Sequence, residues 1–286
     1  MQRRLTLGQA VNYAILLIFV FLCILPFYYV VVVSLSEPTL VKEGRITILP
    51  QGFSLRAYEI VLAQDRFFNA FQISTLRTAV GLVVSLFLQC TMAYALSRKA
   101  LRGRKFFILF VVFTILFSAG IIPTYLVVRY TGIINTFWAL IIPDAISAWN
   151  VLILLSFFSS IPDAIEESAK MDGANDFQVF WKLMIPLSIP AVSTIGLFIA
   201  VHHWNSLMDG IMYINKTSLK PLQVYLMDLV MRSEMTDMNA NIDDQALPSL
   251  SIQTAAIFAA TLPVLLVYPF IQRYFTKGIM LGAIKG

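Results

Sequence analysis

The residues able to do chemistry are gathered in one stretch, Ile161–Pro186, where Asp163, Glu166, Glu167, Asp172 and Asp176 stand against only Lys170 and Lys182. Long apolar segments flank it on both sides. Beside these acids, Phe177, Phe180, Trp181 and Met184 recur at three-to-four spacing, the pattern of an amphipathic helix. The other chemistries are missing. No Gly-x-x-x-x-Gly-Lys-Ser/Thr is present, so the chain has no phosphate cradle and is not expected to hydrolyse ATP itself. Neither a zinc-ligand spacing nor a Ser/His/Asp arrangement can be assembled. His202 and His203 are adjacent, and neighbours on a helix point about 100° apart, so a shared ligand is not expected. Cys23 and Cys90 both fall in apolar runs and read as small core residues.

The elements that must carry these residues follow from local signals. Asp163 comes after Pro162 and has Glu166 three residues on, a capping-box spacing with Asp in place of Ser or Thr. Gly173 is placed to end that helix, since a tight helix terminus asks for positive φ. A second short helix runs on to Pro186. Both are too short to cross a bilayer, and a hairpin of this size is not stable alone, so it needs a partner surface.

The rest of the 286-residue chain is 58% hydrophobic and 13% charged with a mean hydropathy of +0.78, against about 25% charged residues in soluble domains. This is the composition of an integral, all-α membrane protein. Six spans are expected, at about 12–35, 73–97, 106–128, 138–160, 185–207 and 252–275, each near the roughly 20 residues that a hydrocarbon core of about 30 Å requires. The first run is too long for a signal-peptide core and no small-x-small cleavage site follows it, so it reads as a retained helix. Arg98, Lys99, Arg102, Arg104 and Lys105 crowd the loop after the second span, which places that loop in the cytoplasm. Both termini and the loop 161–184 are then cytoplasmic, and 36–72 and 208–251 external. The net charge of +5 and pI near 9.2 belong to the cytoplasmic loops and do not point to nucleic acid. Ionisable residues look nearly absent between the span ends, which argues against ion-coupled transport. Energy for any transport has to come from a partner.

Glu167-Ser-Ala-x-x-Asp172-Gly173-Ala174, followed by Phe180 and Pro186-Leu-x-x-Pro190, resembles the EAA loop of ABC importer membrane subunits. Ser168 stands where that pattern has its first alanine. The likeness extends over nearly the whole chain and is strongest to the carbohydrate-uptake class, including the second maltose permease subunit. Ala93-Tyr-Ala-Leu-Ser-Arg98, Gly120-Ile-Ile-Pro-Thr-Tyr125, Asn150 ahead of Phe157-Phe158, Trp204-Asn205 and the ending Gln272–Gly286 carry it. Pro-Ser-Leu-Ser-Ile-Gln before the last span and the glycine-rich tail are similar to permeases for aldouronate or rhamnogalacturonan fragments.

The resemblance implies a single transmembrane domain over 1–286 in a bacterial plasma membrane. It implies a loop in which Glu166, Glu167, Ala169, Asp172, Gly173, Ala174, Phe177, Phe180 and Trp181 dock on a cytoplasmic ATPase, and a tail, 276–286, whose Lys277, Gly278, Gly282 and Lys285 reach between two ATPase subunits. It implies a second, different permease and an extracytoplasmic solute-binding protein as partners, with ATP and Mg used by the ATPases and no cofactor on this chain. Tyr94, Asn150, Trp204 and Asn205, polar or aromatic in or near spans, are candidates for a sugar path, though each also fits interhelical packing or an aromatic belt. An interfacial helix on lipid headgroups is the alternative for the loop, and its excess of acids opposes that. A permease for a non-sugar solute and an ion-coupled carrier are the alternatives for the chain.

Overall fold

The helix Asp65–Ser97 runs for 33 residues. The computed structural model describes residues 7–45, 48–237 and 250–283, and among these every regular element is helical. In chain order they are α1 (Leu7–Ser34), α2 (Pro38–Lys42), α3 (Arg56–Leu62), α4 (Asp65–Ser97), α5 (Arg104–Leu116) and α6 (Ile121–Tyr130). A 3₁₀ turn (Phe137–Leu140) precedes α7 (Ala148–Ser159), and α8 (Asp163–Met171) follows. Then come α9 (Asp176–Leu187), α10 (Ile189–Asn205), α11 (Met208–Tyr213), α12 (Leu222–Asp237) and α13 (Leu250–Ala283).

Two compact units divide the chain. The first comprises 1–68 and 225–262. In it Tyr58 Oη and Ser34 Oγ share a hydrogen bond of 2.7 Å, the Tyr58 ring meets Phe258 edge-on, and Tyr225 donates to Gln64 at 2.8 Å. Helix α1 is apolar from Tyr13 to Val33 and exposed from Tyr13 to Tyr29. The second unit, 69–224 with 263–286, holds the main core: Ala93, Leu96, Leu154, Phe158, Val179, Phe180, Met184 and Ile195 interlock from α4, α7, α9 and α10.

Three expected spans take a different form. The stretch 106–128 is two helices, α5 and α6, meeting at 117°, because Gly120 (φ +81°, ψ 176°) turns the chain in a region open only to glycine. The stretch 138–160 is α-helical only from Ala148, with the 3₁₀ turn ending at Leu140 before it. Pro143 stands in the non-helical part, and Ser147 caps α7 by accepting from Asn150 N at 3.5 Å. At 12 residues α7 is about 18 Å long, well short of a hydrocarbon core. The stretch 185–207 begins with a break at Ser188, where α9 and α10 meet at 85°. At the other end of the chain α13 runs to Ala283, so the residues expected as a tail from 276 continue a helix for 34 residues in all.

Ionisable groups within the apolar stretches are also a correction. Arg77 lies within α4, fully buried, and pairs with Asp209 of α11; it also donates to the Ser206 carbonyl. Asp144 and His202 stand 3.6 Å apart within two other apolar stretches. Counting acids and bases along the chain hides such pairs, because their partners lie about 60 to 130 residues apart in sequence and meet only in the fold.

Candidate functional site

The α8–α9 hairpin is built by two local devices. Helix α8 ends in a Schellman motif: Ala174 N donates to Ala169 O at 3.0 Å, Gly173 N to Lys170 O at 3.0 Å, and Gly173 takes φ +89°. Helix α9 opens with a capping box of Asn175 and Gln178, their bonds 2.9 and 3.1 Å long. The box expected at Asp163 is not formed. Pro162 occupies the cap position, and Asp163 instead accepts from Lys99 Nζ at 2.7 Å. That ammonium holds the Asp163 carboxyl below its ordinary pKa, first through the hydrogen bond and then through its charge. After one α-turn α9 loosens into a π-helical turn, Phe180–Met184, ahead of Pro186.

A cleft of about 550 Å³ lies between the hairpin and the end of α4, lined by Tyr94, Arg98, Asp163, Glu166, Glu167 and Lys170 among others. Ion pairs close over it. Glu166 binds Arg98, the residue just after α4, and Lys170, the latter at 2.9 Å, and Lys170 reaches Asp176 at 2.9 Å. Arg98 also lies 4.6 Å over the Tyr94 ring, a cation–π contact. The hairpin is thus clamped to α4 from below.

The clamp sorts the predicted docking residues. Glu166, at 8% exposure, is committed inside the chain, and Phe180 packs in the core against Tyr94 at 5.1 Å; both correct the expectation that they face a partner. An inward-facing acid needs a partner charge when buried, and the basic loop after α4 supplies it. Glu167, Met171, Asp172, Gly173 and Phe177 point outward, Met171 at 84% and Phe177 at 69% exposure. Ala169 and Ala174 are half-buried, and Trp181 lies partly exposed with its ring stacked on Phe87. Sequence spacing placed Glu166 and Glu167 side by side; which one faces out depends on Arg98, far back in the chain.

The candidate path residues do not form one group. Tyr94 sits beneath the hairpin, against Phe158 and Phe180. Asn150 lines a separate polar cavity of about 400 Å³ between α4, the approach to α7 and α10, together with Gln89, Asp144, His202 and His203. Trp204 is buried edge-on to Phe71, its carbonyl taking a bond from Gln223, and it borders a mainly apolar groove of about 500 Å³ with Phe198, Val201 and Pro263. Asn205, at the end of α10, is exposed. Gln89, Asp144 and His202 were missed as path candidates; the polar type of each, within an otherwise apolar run, was the available signal. Among the described residues no cluster of His, Cys, Asp and Glu could hold a metal ion. Of the C-terminal candidates, Lys277, Gly278 and Gly282 fall on α13, and Lys285 lies outside the described residues.

Known proteins bear on this arrangement across its whole length. The polygalacturonan/rhamnogalacturonan transport system permease protein YtcP of Bacillus subtilis is 44% identical over 279 residues, covering 96% of each chain. Protein LplC of the same organism is 40% identical over 264 residues, 92% of this chain and 90% of that one. A solved chain from a bacterial ABC transporter involved in the import of the acidic polysaccharide alginate superposes with a TM-score of 0.86 at 32% identity, over 96% of this chain and 99% of that one. Residues 6–281 match the family described as binding-protein-dependent transport system inner membrane components, and the chain belongs to that family.

Proposed function

We propose that this chain is the permease subunit of an ATP-driven oligosaccharide importer, and that the α8–α9 hairpin transmits the work of a cytoplasmic ATPase to it. The observation that carries the coupling role is the two-faced hairpin: its inner side is tied to the basic loop just after α4 through Arg98–Glu166 and Lys99–Asp163, while Glu167, Met171 and Phe177 are presented outward. A push on the outer face is passed rigidly through Tyr94, Phe158 and Phe180 into α4 and α7, and through Pro186 into α10. ATP and Mg act in two separate ATPase subunits, and no cofactor is needed on this chain.

The substrate class follows from the relatives: a permease named for polygalacturonan/rhamnogalacturonan and a transporter of alginate support an oligosaccharide. Six passages of the membrane accommodate the elements: α1, α4, the bent pair α5–α6, the segment 137–159, α10 and α13. With Arg98, Lys99 and Arg104 cytoplasmic, both termini are cytoplasmic too. A second permease completes the path, α13 continues toward the ATPases, and a solute-binding protein delivers sugar to the external face.

The test is uptake and ATP hydrolysis by the reconstituted transporter carrying Glu167→Lys or Gly173→Pro. Both variants are expected to assemble and hydrolyse ATP with little or no uptake. Full transport by both would remove the hairpin from the coupling route, and absence of uptake of any oligosaccharide by the unaltered transporter would remove the substrate assignment.

A further inference from the structure

The polar cavity lined by Gln89, Asp144, Asn150, Phe198, His202 and His203 holds groups that the coupling role leaves unused. Gln89 and His203 are each 99% buried, yet Gln89 Oε1 and His203 Nδ1 have no hydrogen-bond partner among the described residues. Both side chains are held in place. The Gln89 amide nitrogen donates to Ala145 O at 2.9 Å, and His203 Nε2 lies 3.3 Å from Ser85 Oγ. The His203 ring also fills the space over Gly81, where an added Cβ would stand 2.6 Å from it. Buried polar atoms are almost always satisfied, so two lining one cavity point to a polar ligand.

A second observation agrees. Asp144 and His202 are about half exposed on apolar stretches, and ionisable groups at such positions in membrane proteins face a wet path or a binding site. The chemistry offered is rich in acceptors. The Asp144 carboxylate, Gln89 Oε1 and, with the hydrogen on Nε2 toward Ser85, His203 Nδ1 all accept hydrogen bonds. Phe198 adds a ring on which the C–H face of a sugar can rest.

We infer that this cavity is a sugar-binding station on the translocation path, taking the hydroxyl edge of one pyranose unit, with Asp144 turning any uronate carboxylate away. Vicinal hydroxyls supply the donors that Gln89 Oε1 and His203 Nδ1 lack, and the Asp144 carboxylate, 3.6 Å from His202, has lone pairs left to accept another. A carboxylate in the same place would meet the like charge of Asp144. The inference rests on the oligosaccharide reading above and names the residues that would contact the substrate.

The experiment uses the complete transporter in proteoliposomes, with its second permease, ATPases and binding protein, and with neutral and uronate oligosaccharides of matched length. Asp144→Asn and Asn150→Ala are expected to lower uptake at limiting sugar by about tenfold, as for the loss of one hydrogen bond to a charged or polar group. Asp144→Asn should in addition shift the uptake ratio several-fold toward uronates, which a merely structural role would not do, and Asp144→Glu should restore it. If the unaltered transporter carries oligosaccharide and both variants match it in rate and ratio, the station is overturned; if it carries none, the oligosaccharide reading fails first. Should the variants not assemble, Asn150→Cys in a Cys23→Ser background decides the matter. Labelling at position 150 slowed several-fold by sugar-loaded binding protein and ATP supports the station, and an unchanged rate overturns it.

Discussion

Arg77 and Asp209 show what a single side chain can cost in this protein. The guanidinium is fully buried and the carboxylate nearly so, each tolerable only because the other is there. Breaking such a pair from one side strands a charge, at about 3–5 kcal/mol. Asp209→Ala is therefore expected to lower the thermal unfolding temperature of the purified protein sharply, and Arg77→Met with Asp209→Leu should recover most of the loss; equal losses for the single and double variants would count against the pair. The two neighbouring glutamates separate in the same way. Glu166→Ala should speed amide exchange across 163–176, since it frees Arg98 and Lys170, whereas Glu167→Lys should leave exchange unaltered and reduce coupling. The Lys99–Asp163 pair has a pH signature. Because the native carboxyl is depressed, its contribution is complete above the ordinary carboxylate range near ~4 and is lost only as pH falls through the depressed native value. Coupling should accordingly be indifferent to this pair between about pH 5 and 8, and a Lys99→Met effect that varied across that window would contradict it.

At the scale of elements, glycines set the angles. Gly120 and Gly173 adopt backbone conformations that side chains disfavour, and an added Cβ would meet nothing at either, so any penalty is conformational. Gly120→Ala should cost about 1–3 kcal/mol, read as reduced thermal stability, by straining the α5–α6 bend. Gly81 is the opposite case: its backbone is ordinarily helical and the obstacle is the His203 ring. Much of the hairpin was legible beforehand, since Gly173 between two amphipathic runs signals the turn through local backbone preference alone. The π-helical turn at Phe180–Met184 and the short α7 were not, because a run of apolar residues states only that a segment is buried or in lipid.

For the whole molecule, the long exposed face of α1 has no covering among the described residues and needs lipid or another subunit. Cys23 on that helix is exposed and Cys90 is buried in the second unit's core. A membrane-permeant thiol reagent should therefore modify Cys23 in the isolated chain and reach Cys90 only on unfolding; early modification of Cys90 would show that the core between α4, α7 and α10 is looser than described. The chain reconstituted without its partners should show no uptake, and adding them should make uptake depend on ATP.

Composition and spacing alone decide that the chain lives in a membrane, that its charged hairpin breaks an apolar run, and where that hairpin turns, because each of these depends on residues close together in sequence. Which glutamate of the hairpin faces outward, how Arg77 is tolerated and which polar groups share a cavity were decided only by the tertiary fold. Those outcomes depend on Arg98 meeting Glu166, Arg77 meeting Asp209 and Asp144 meeting His202, pairings between distant segments that no local pattern encodes.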